Sequence, residues 1–242
     1  MKQLFLIAIM AYSANLVWSQ KMKPEETEVW TPEPSIVTPG MQGMPPSDAI
    51  VLFDGTSLDG WVDKDGNPTK WKLQDGAMVV VKGAGTTESK KKMGSAQIHI
   101  EWRTPAEVSG ESQGRGNSGV FLQGIYELQV LDSYNNRTYS NGQAASIYKQ
   151  TMPLVNASKG PGEWQTYDII YHAPTFQNGR EYEKNPYITV LHNGVLVQDH
   201  TKILGTTPYI GYPKVNMHGK GPLLLQDHGN PVAFRNIWIR EL

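Results

Sequence analysis

The sequence predicts an all-β fold, a two-sheet antiparallel β-sandwich, on three observations. Apolar residues recur at period two along most of the chain, apolar runs at helical period are scarce, and turn dipeptides punctuate the alternating runs. About eleven short strands following one another without βα alternation build a sandwich or barrel.

The first strand is expected at 49–53, ended by Asp54-Gly55. Strands at 71–73 and 78–82 flank Asp75-Gly76, a dipeptide that accepts the positive φ angles of a tight hairpin. The run 96–103 alternates cleanly: Ile98, Ile100 and Trp102 share one face, and Gln97, His99, Glu101 and Arg103 the other. Strands at 118–123 and 126–131 come next. In the second, Tyr126, Leu128 and Val130 point one way and Glu127 and Gln129 the other, with a turn or bulge near Leu131 expected to re-aim Asp132. After 164–172, the runs 187–192 and 195–198 flank Asn193-Gly194, the most secure hairpin of the chain. Strands at 223–226 and 233–241 complete the set. Two sheets packed on their apolar faces leave the polar rows outside, where a curved sheet forms a groove.

Composition narrows the function. Among 242 residues, 22 Lys and Arg face 23 Asp and Glu, for a formal net charge of −1, and there is no basic stretch of the kind that neutralises phosphates. No nucleic-acid partner is therefore expected. The absence of Cys excludes disulfides, thiolate zinc sites, thiol nucleophiles and a Cys-linked lipid anchor. The six histidines have no HxH or HExxH spacing, so no metal site is indicated. No cofactor is expected either, with a structural Ca²⁺ held by loop carbonyls left open.

Residues 1–19 read as a signal peptide, with Lys2 before the apolar run 4–10 and Val17-Trp18-Ser19 at the cleavage site, and imply a periplasmic or secreted protein. Residues 20–47 hold six of the sixteen prolines and are expected to be an extended tether or strap, docked by Trp30. The remaining 48–242 suffices for one sizeable core.

Glu127, Gln129 and Asp132, at i, i+2 and i+5, gather on one face if a bulge intervenes after Gln129. Two carboxyls about a strand width apart suit glycosyl chemistry, although a solvated outer strand face offers the same pattern. Asn117 follows a glycine-rich loop into a strand, and His228 sits in a turn after an apolar strand beside Asp227. Of Trp61, Trp71, Tyr134, Tyr139 and Tyr148, near strand ends or loops, one or two are expected to stack on a sugar ring.

The blocks Leu52-Phe53-Asp54-Gly55, Ile100-Glu101-Trp102-Arg103, Gly116-Asn117-Ser118-Gly119, Tyr126-Glu127-Leu128-Gln129-Val130-Leu131-Asp132, Ala145-Ser146-Ile147-Tyr148, Gln226-Asp227-His228-Gly229 and Phe234-Arg235-Asn236-Ile237 run in order over nearly the whole mature chain. In them the sequence resembles the 3-keto-disaccharide hydrolase domain family. The resemblance implies a jelly-roll sandwich of the concanavalin A-like lectin and glucanase type, and a small carbohydrate substrate, a 3-keto-glucoside or related glycoside. It implies catalytic roles for Glu127, Asp132 and His228, with Glu127 or His228 as base and Asp132 as proton donor. It further implies substrate binding by Glu101, Arg103, Asn117, Gln129, Tyr148 and Arg235. The strand of Glu127 also looks like a rewritten glucanase Glu-x-Asp-x-x-Glu strand, with Gln129 in place of the central Asp and Asp132 in place of the last Glu, which weakens the ordinary double displacement. A non-catalytic carbohydrate-binding module and an endo-glucanase are the alternatives.

Overall fold

The structure, a computed structural model, describes residues 21–41, 43–178 and 181–242. The expected signal peptide lies outside the described residues. Chain order is β1 (Ile50–Phe53), β2 (Trp61–Val62), β3 (Lys72–Gln74), β4 (Ala77–Val79), β5 (Thr87–Met93), β6 (Ala96–Arg103), β7 (Ser118–Leu122), β8 (Tyr126–Val130), β9 (Gln165–His172), β10 (Thr175–Gln177), β11 (Glu181–Lys184), β12 (Tyr187–His192), β13 (Val195–Lys202), β14 (Gly221–Leu225) and β15 (Ala233–Glu241). Among the described residues no helix is long and apolar enough to cross a membrane.

Two antiparallel sheets form the sandwich. The larger, of eight strands, runs β13-β12-β9-β6-β15-β4-β3, with β1 also paired to β15; the smaller, of five, runs β2-β5-β14-β7-β8. Strands β10 and β11 pair as a separate ribbon. The inner faces supply the core: Ile98, Ile100, Trp102, Tyr167 and Phe234 from the large sheet meet Tyr126, Leu128, Val130, Val120 and Leu225 from the small one. The Tyr167 hydroxyl crosses between the sheets and donates to the Gln129 carbonyl at 2.7 Å. Its buried polar tip is thereby satisfied.

The expected hairpins form because their turn residues adopt left-handed backbone, Asp75 and Gly76 at φ +51° and +71°, Asn193 and Gly194 at +52° and +78°. Four strands escaped the pattern, the ribbon strands β10 and β11 together with β5 and β2 of the small sheet. In β5 the period of two breaks at Lys90, Lys91 and Lys92, which are exposed, while Thr87, Ser89 and Met93 are buried. A register shift against β14 falls there, and the Ser89 hydroxyl fills it by donating to the Lys91 carbonyl and accepting from the Leu223 N–H. Strand β2, two residues long, carries no period. Trp61 and Trp71, expected as ring-stacking candidates, are buried in the core instead. Their indoles donate to the Leu52 and Gly85 carbonyls.

Val37–Leu242 is one compact unit, and a second ends at Ile36. In the first, the Gly43 carbonyl lies over the outer face of the large sheet and accepts from Asn236 Nδ2 and Trp238 Nε1, both at 2.9 Å. Trp30 is exposed, its indole donating to Glu28.

Candidate active site

Strand β8 is an edge strand, and its free edge is covered. The Gln129 N–H donates to the Ser146 carbonyl, the Tyr148 N–H to the Glu127 carbonyl and the Glu127 N–H to the Thr207 hydroxyl. This covering brings residues 145–148 and 207–209 over the outer face of the small sheet, where β8 points Glu127 and Gln129. A cavity of about 180 Å³, the space of one sugar ring, results. Asn117, Phe121, Glu127, Gln129, Tyr148 and His228 line it, with Thr207, Tyr209 and Gln226.

Among the described residues Glu127 is the single carboxyl on this cavity. It is buried, no cation pairs with it among the described residues, and burial alone pushes its pKa up to about 8. Gly119, which faces Gln129 across the β7–β8 ladder, is the floor beneath it: an added Cβ would sit 2.7 Å from Glu127 Oε1 and 2.8 Å from Phe121 Cε2. The Gln129 amide fits two ways. One donates to Gln113 Oε1 at 2.9 Å, and the other to Glu127 Oε1 at 3.2 Å and the Ser118 carbonyl at 3.0 Å. Gln226 Oε1 is buried without a hydrogen-bond partner among the described residues, and Asn117 Nδ2 donates to the Gln113 carbonyl. At the mouth, the Tyr148 and Tyr139 hydroxyls are 2.6 Å apart, and the Lys149 ammonium lies 4.2 Å over the Tyr209 ring. His228 is an exposed rim residue. Asp227 does not orient it, because the carboxylate accepts from the Gly229 and Gly85 N–H groups.

The structure gathers Glu127, Gln129, Asn117, Tyr148 and His228, and places the other four candidates elsewhere. The β7–β8 register is unbroken from Ser118↔Val130 to Leu122↔Tyr126, so no bulge lies within the ladder itself. At the end of the strand Val130 and Leu131, the residue after it, both enter the core, so the alternation breaks at Leu131, and Asp132 lines a separate cavity of about 460 Å³ with Thr104, Gly116 and Asn230. There Asp132 Oδ2 accepts from Arg115 Nε at 2.7 Å and Oδ1 from the Tyr134 N–H, which makes it an anchor of the glycine-rich loop.

Glu101, Arg103 and Arg235 belong to the opposite outer face. They point away from the core on β6 and β15 of the large sheet, and the sandwich separates them from Glu127. A β-bulge between Arg235 and Trp238, with Asn236 at φ +46°, turns both Arg235 and Asn236 onto Glu101. Arg235 Nε donates to Oε2 at 2.7 Å and Asn236 Nδ2 to Oε1 at 2.9 Å. Arg103 and Arg235 stack on Trp164, at 4.7 and 4.0 Å from the ring centroid. Buried His99 lies between Asp168 Oδ1, 2.6 Å from Nδ1, and Glu101 Oε1, 3.7 Å from Nε2. Burial alone would lower the His99 pKa, but the two carboxylates outweigh it and raise the group to about 9. Burial likewise opposes ionisation of Glu101, yet its His99, Asn236 and Arg235 partners hold it at about 2.

Sequence reasoning missed Thr207, Tyr209, Gln226 and Phe121. The loop 206–214 has no strand period; its visible signal is Tyr209, Ile210 and Tyr212 bracketed by Pro208 and Pro213. The loop closes on itself through Thr206 and Lys214.

Comparison with known proteins agrees with this architecture. Residues 48–240 match the family described as the 3-keto-alpha-glucoside-1,2-lyase-like domain. A Bacteroides thetaiotaomicron protein named 3-keto-disaccharide hydrolase is 28% identical, the alignment covering 80% of this chain and 78% of that one. A solved structure from Parabacteroides distasonis, provisionally described as a glycosyl hydrolase, is 53% identical with a TM-score of 0.88, covering 91% of this chain and 97% of its own. A second structure from that organism, described in the same way, shares the fold at 20% identity and a TM-score of 0.57, over 81% and 94% of the two chains. The chain belongs to the 3-keto-alpha-glucoside-1,2-lyase-like domain family and is a glycoside-acting enzyme of it.

Proposed function

We propose that the protein cleaves 3-keto-glycosides by elimination across C1 and C2, followed by hydration. A ketone at C3 acidifies the C2 proton. Glu127 removes it, the C1–O electrons leave with the aglycone, and a C1=C2 bond conjugated to the ketone remains. Water adding its oxygen to C1 and a proton to C2 completes a net hydrolysis. The names of the family and of the Bacteroides relative support this substrate class.

The observation that carries the reading is the single carboxyl. Hydrolysis of an unmodified glycoside by the ordinary routes uses two carboxyls across the sugar ring, and Glu127 has no carboxyl partner on its cavity. Elimination next to a ketone needs one strong base, and burial makes Glu127 a stronger base than an exposed carboxylate. The amides of Asn117, Gln129 and Gln226 are at hand for the sugar hydroxyls, and His228 at the rim donates to the enolate oxygen. The segment 1–19 directs export, so the reaction takes place in the periplasm or the medium.

Incubating the protein with a 3-keto-glucoside and with its unoxidised parent tests the reading. Aglycone release from the keto sugar alone is the expected result. Release from the parent alone would favour a glucanase, and release from neither a binding module.

A further inference from the structure

Elimination leaves one requirement unmet, a proton for the departing oxygen. Glu127 is committed to C2, Asp132 lies on another cavity with its oxygens engaged by Arg115 and Tyr134, and His228 sits at the exposed rim. The remaining hydroxyl acid on the cavity with a proton-bearing partner is Tyr148. Resting on the elimination reading, we propose that Tyr148 is the catalytic acid for the leaving oxygen, and that Tyr139 and Lys149 stabilise the phenolate it becomes.

Three features of the fold support the assignment. The Tyr148 N–H donates to the Glu127 carbonyl at 3.1 Å, so base and acid hang from one hydrogen-bonded pair of backbone segments and open onto one cavity. The Tyr148 hydroxyl contacts the Tyr139 hydroxyl at 2.6 Å, and Tyr139, 39% exposed, reaches solvent. Lys149 follows with left-handed backbone, φ +57°, and its ammonium lies 5.8 Å from both tyrosine rings. The ammonium, which also donates to the Tyr209 carbonyl, lies near the ring rather than on its oxygen; a nearby cation and a hydroxyl donor on the phenol oxygen stabilise the charge of a developing phenolate. Burial raises the Tyr148 pKa, and in the resting site its hydroxyl donates to Tyr139, which holds the proton in place; once that proton has passed to the leaving oxygen, the Tyr139 hydroxyl turns and donates to the phenolate.

The protons balance. As the C1–O bond breaks, the proton on Tyr148 Oη passes to the glycosidic oxygen while Glu127 takes the C2 proton. Tyr139 then donates a hydrogen bond to the Tyr148 phenolate. In the hydration half, the phenolate takes a proton from the water whose oxygen bonds to C1, and Glu127 returns its proton to C2. Both residues end as they began.

The test compares methyl and 4-nitrophenyl 3-keto-glucosides with the wild type, Tyr148→Phe and Tyr139→Phe. Nitrophenolate leaves without protonation, and methoxide does not. Tyr148→Phe is expected to lose about 100-fold or more in kcat/KM on the methyl glycoside and to keep its rate on the nitrophenyl glycoside within about threefold. Tyr139→Phe should show the same leaving-group dependence with a smaller loss, about tenfold. Equal losses on both substrates in either variant, or full activity of Tyr148→Phe on the methyl glycoside, would overturn the assignment while leaving elimination intact. A wild type that cleaves neither glycoside would overturn both.

Discussion

Replacing Glu127 by Gln removes the proposed base and also a charge that the fold buries without a partner, so activity and stability should move in opposite directions. Below pH 4.5 the carboxyl is protonated in both folded and unfolded chains and costs nothing extra. Between pH 4.5 and about 8 the unfolded chain releases this proton while the folded chain keeps it, so folded stability falls as pH rises. Across the window, 8 − 4.5 = 3.5 pH units, the loss has a ceiling on the order of 5 kcal/mol. Glu127→Gln stays neutral throughout. Its stability relative to wild type should therefore rise from pH 5 to pH 9, by roughly 10 °C in Tm at the upper end for a domain of this size. The assay is thermal unfolding of both proteins across that range, followed by circular dichroism. A Tm gap that does not widen with pH would refute the argument that Glu127 is buried, unpaired and held protonated.

The same pKa sets the activity profile. If Glu127 is the base, wild-type kcat/KM on a 3-keto-glucoside should climb with pH through about 8, because only the ionised form abstracts the proton; a profile flat from pH 6 to 9 would exclude it. Gly119→Ala should cost about 10- to 100-fold in turnover with little change in Tm, since the new Cβ needs about 3.4 − 2.7 = 0.7 Å of movement from the Glu127 carboxyl; unchanged turnover would dismiss Gly119 as its floor. On the opposite face, His99 contributes fully below pH 6.5 and loses its contribution as pH rises through about 9, while Glu101 contributes fully above pH 4.5 and loses its own as pH falls through about 2. His99→Gln should thus destabilise by about 3 kcal/mol between pH 4.5 and 6.5, less toward pH 9, and leave KM unchanged; a raised KM would assign this face to substrate.

Alternation in the sequence was sufficient to say which residues of β6 and β8 point outward. It could not say from which sheet, because a sandwich has two outer faces and period two is identical on both. That ambiguity is why Glu101, Arg103 and Arg235 joined Glu127 in one expected site, although they stack on Trp164 and surround His99 on the far side of the core. Asp132 was misplaced for a different reason. The alternation does break at Leu131, but it carries Asp132 away from Glu127, and the pairing with Arg115 across the glycine-rich loop is a long-range contact that spacing does not encode. What was legible of the site was its densest stretch, Glu127 and Gln129, with Asn117 just before β7 and His228 after β14. The walls supplied by Thr207 and Tyr209 come from a segment whose backbone is held by the side chains of Gln150 and Lys149, where no period exists to read.

In the proposed reaction Glu127 breaks the C2–H bond of a 3-keto-glycoside. The most direct measurement follows a 3-keto-glucoside deuterated at C2, with the wild type and Glu127→Gln, by mass spectrometry and initial rates. Aglycone release with a primary isotope effect in the wild type is expected, with label lost only to the extent that the Glu127 carboxyl exchanges with solvent before hydration, and a reaction at least about 100-fold slower in the variant. Aglycone release with the C2 deuterium fully retained and no isotope effect would contradict C2–H cleavage by Glu127.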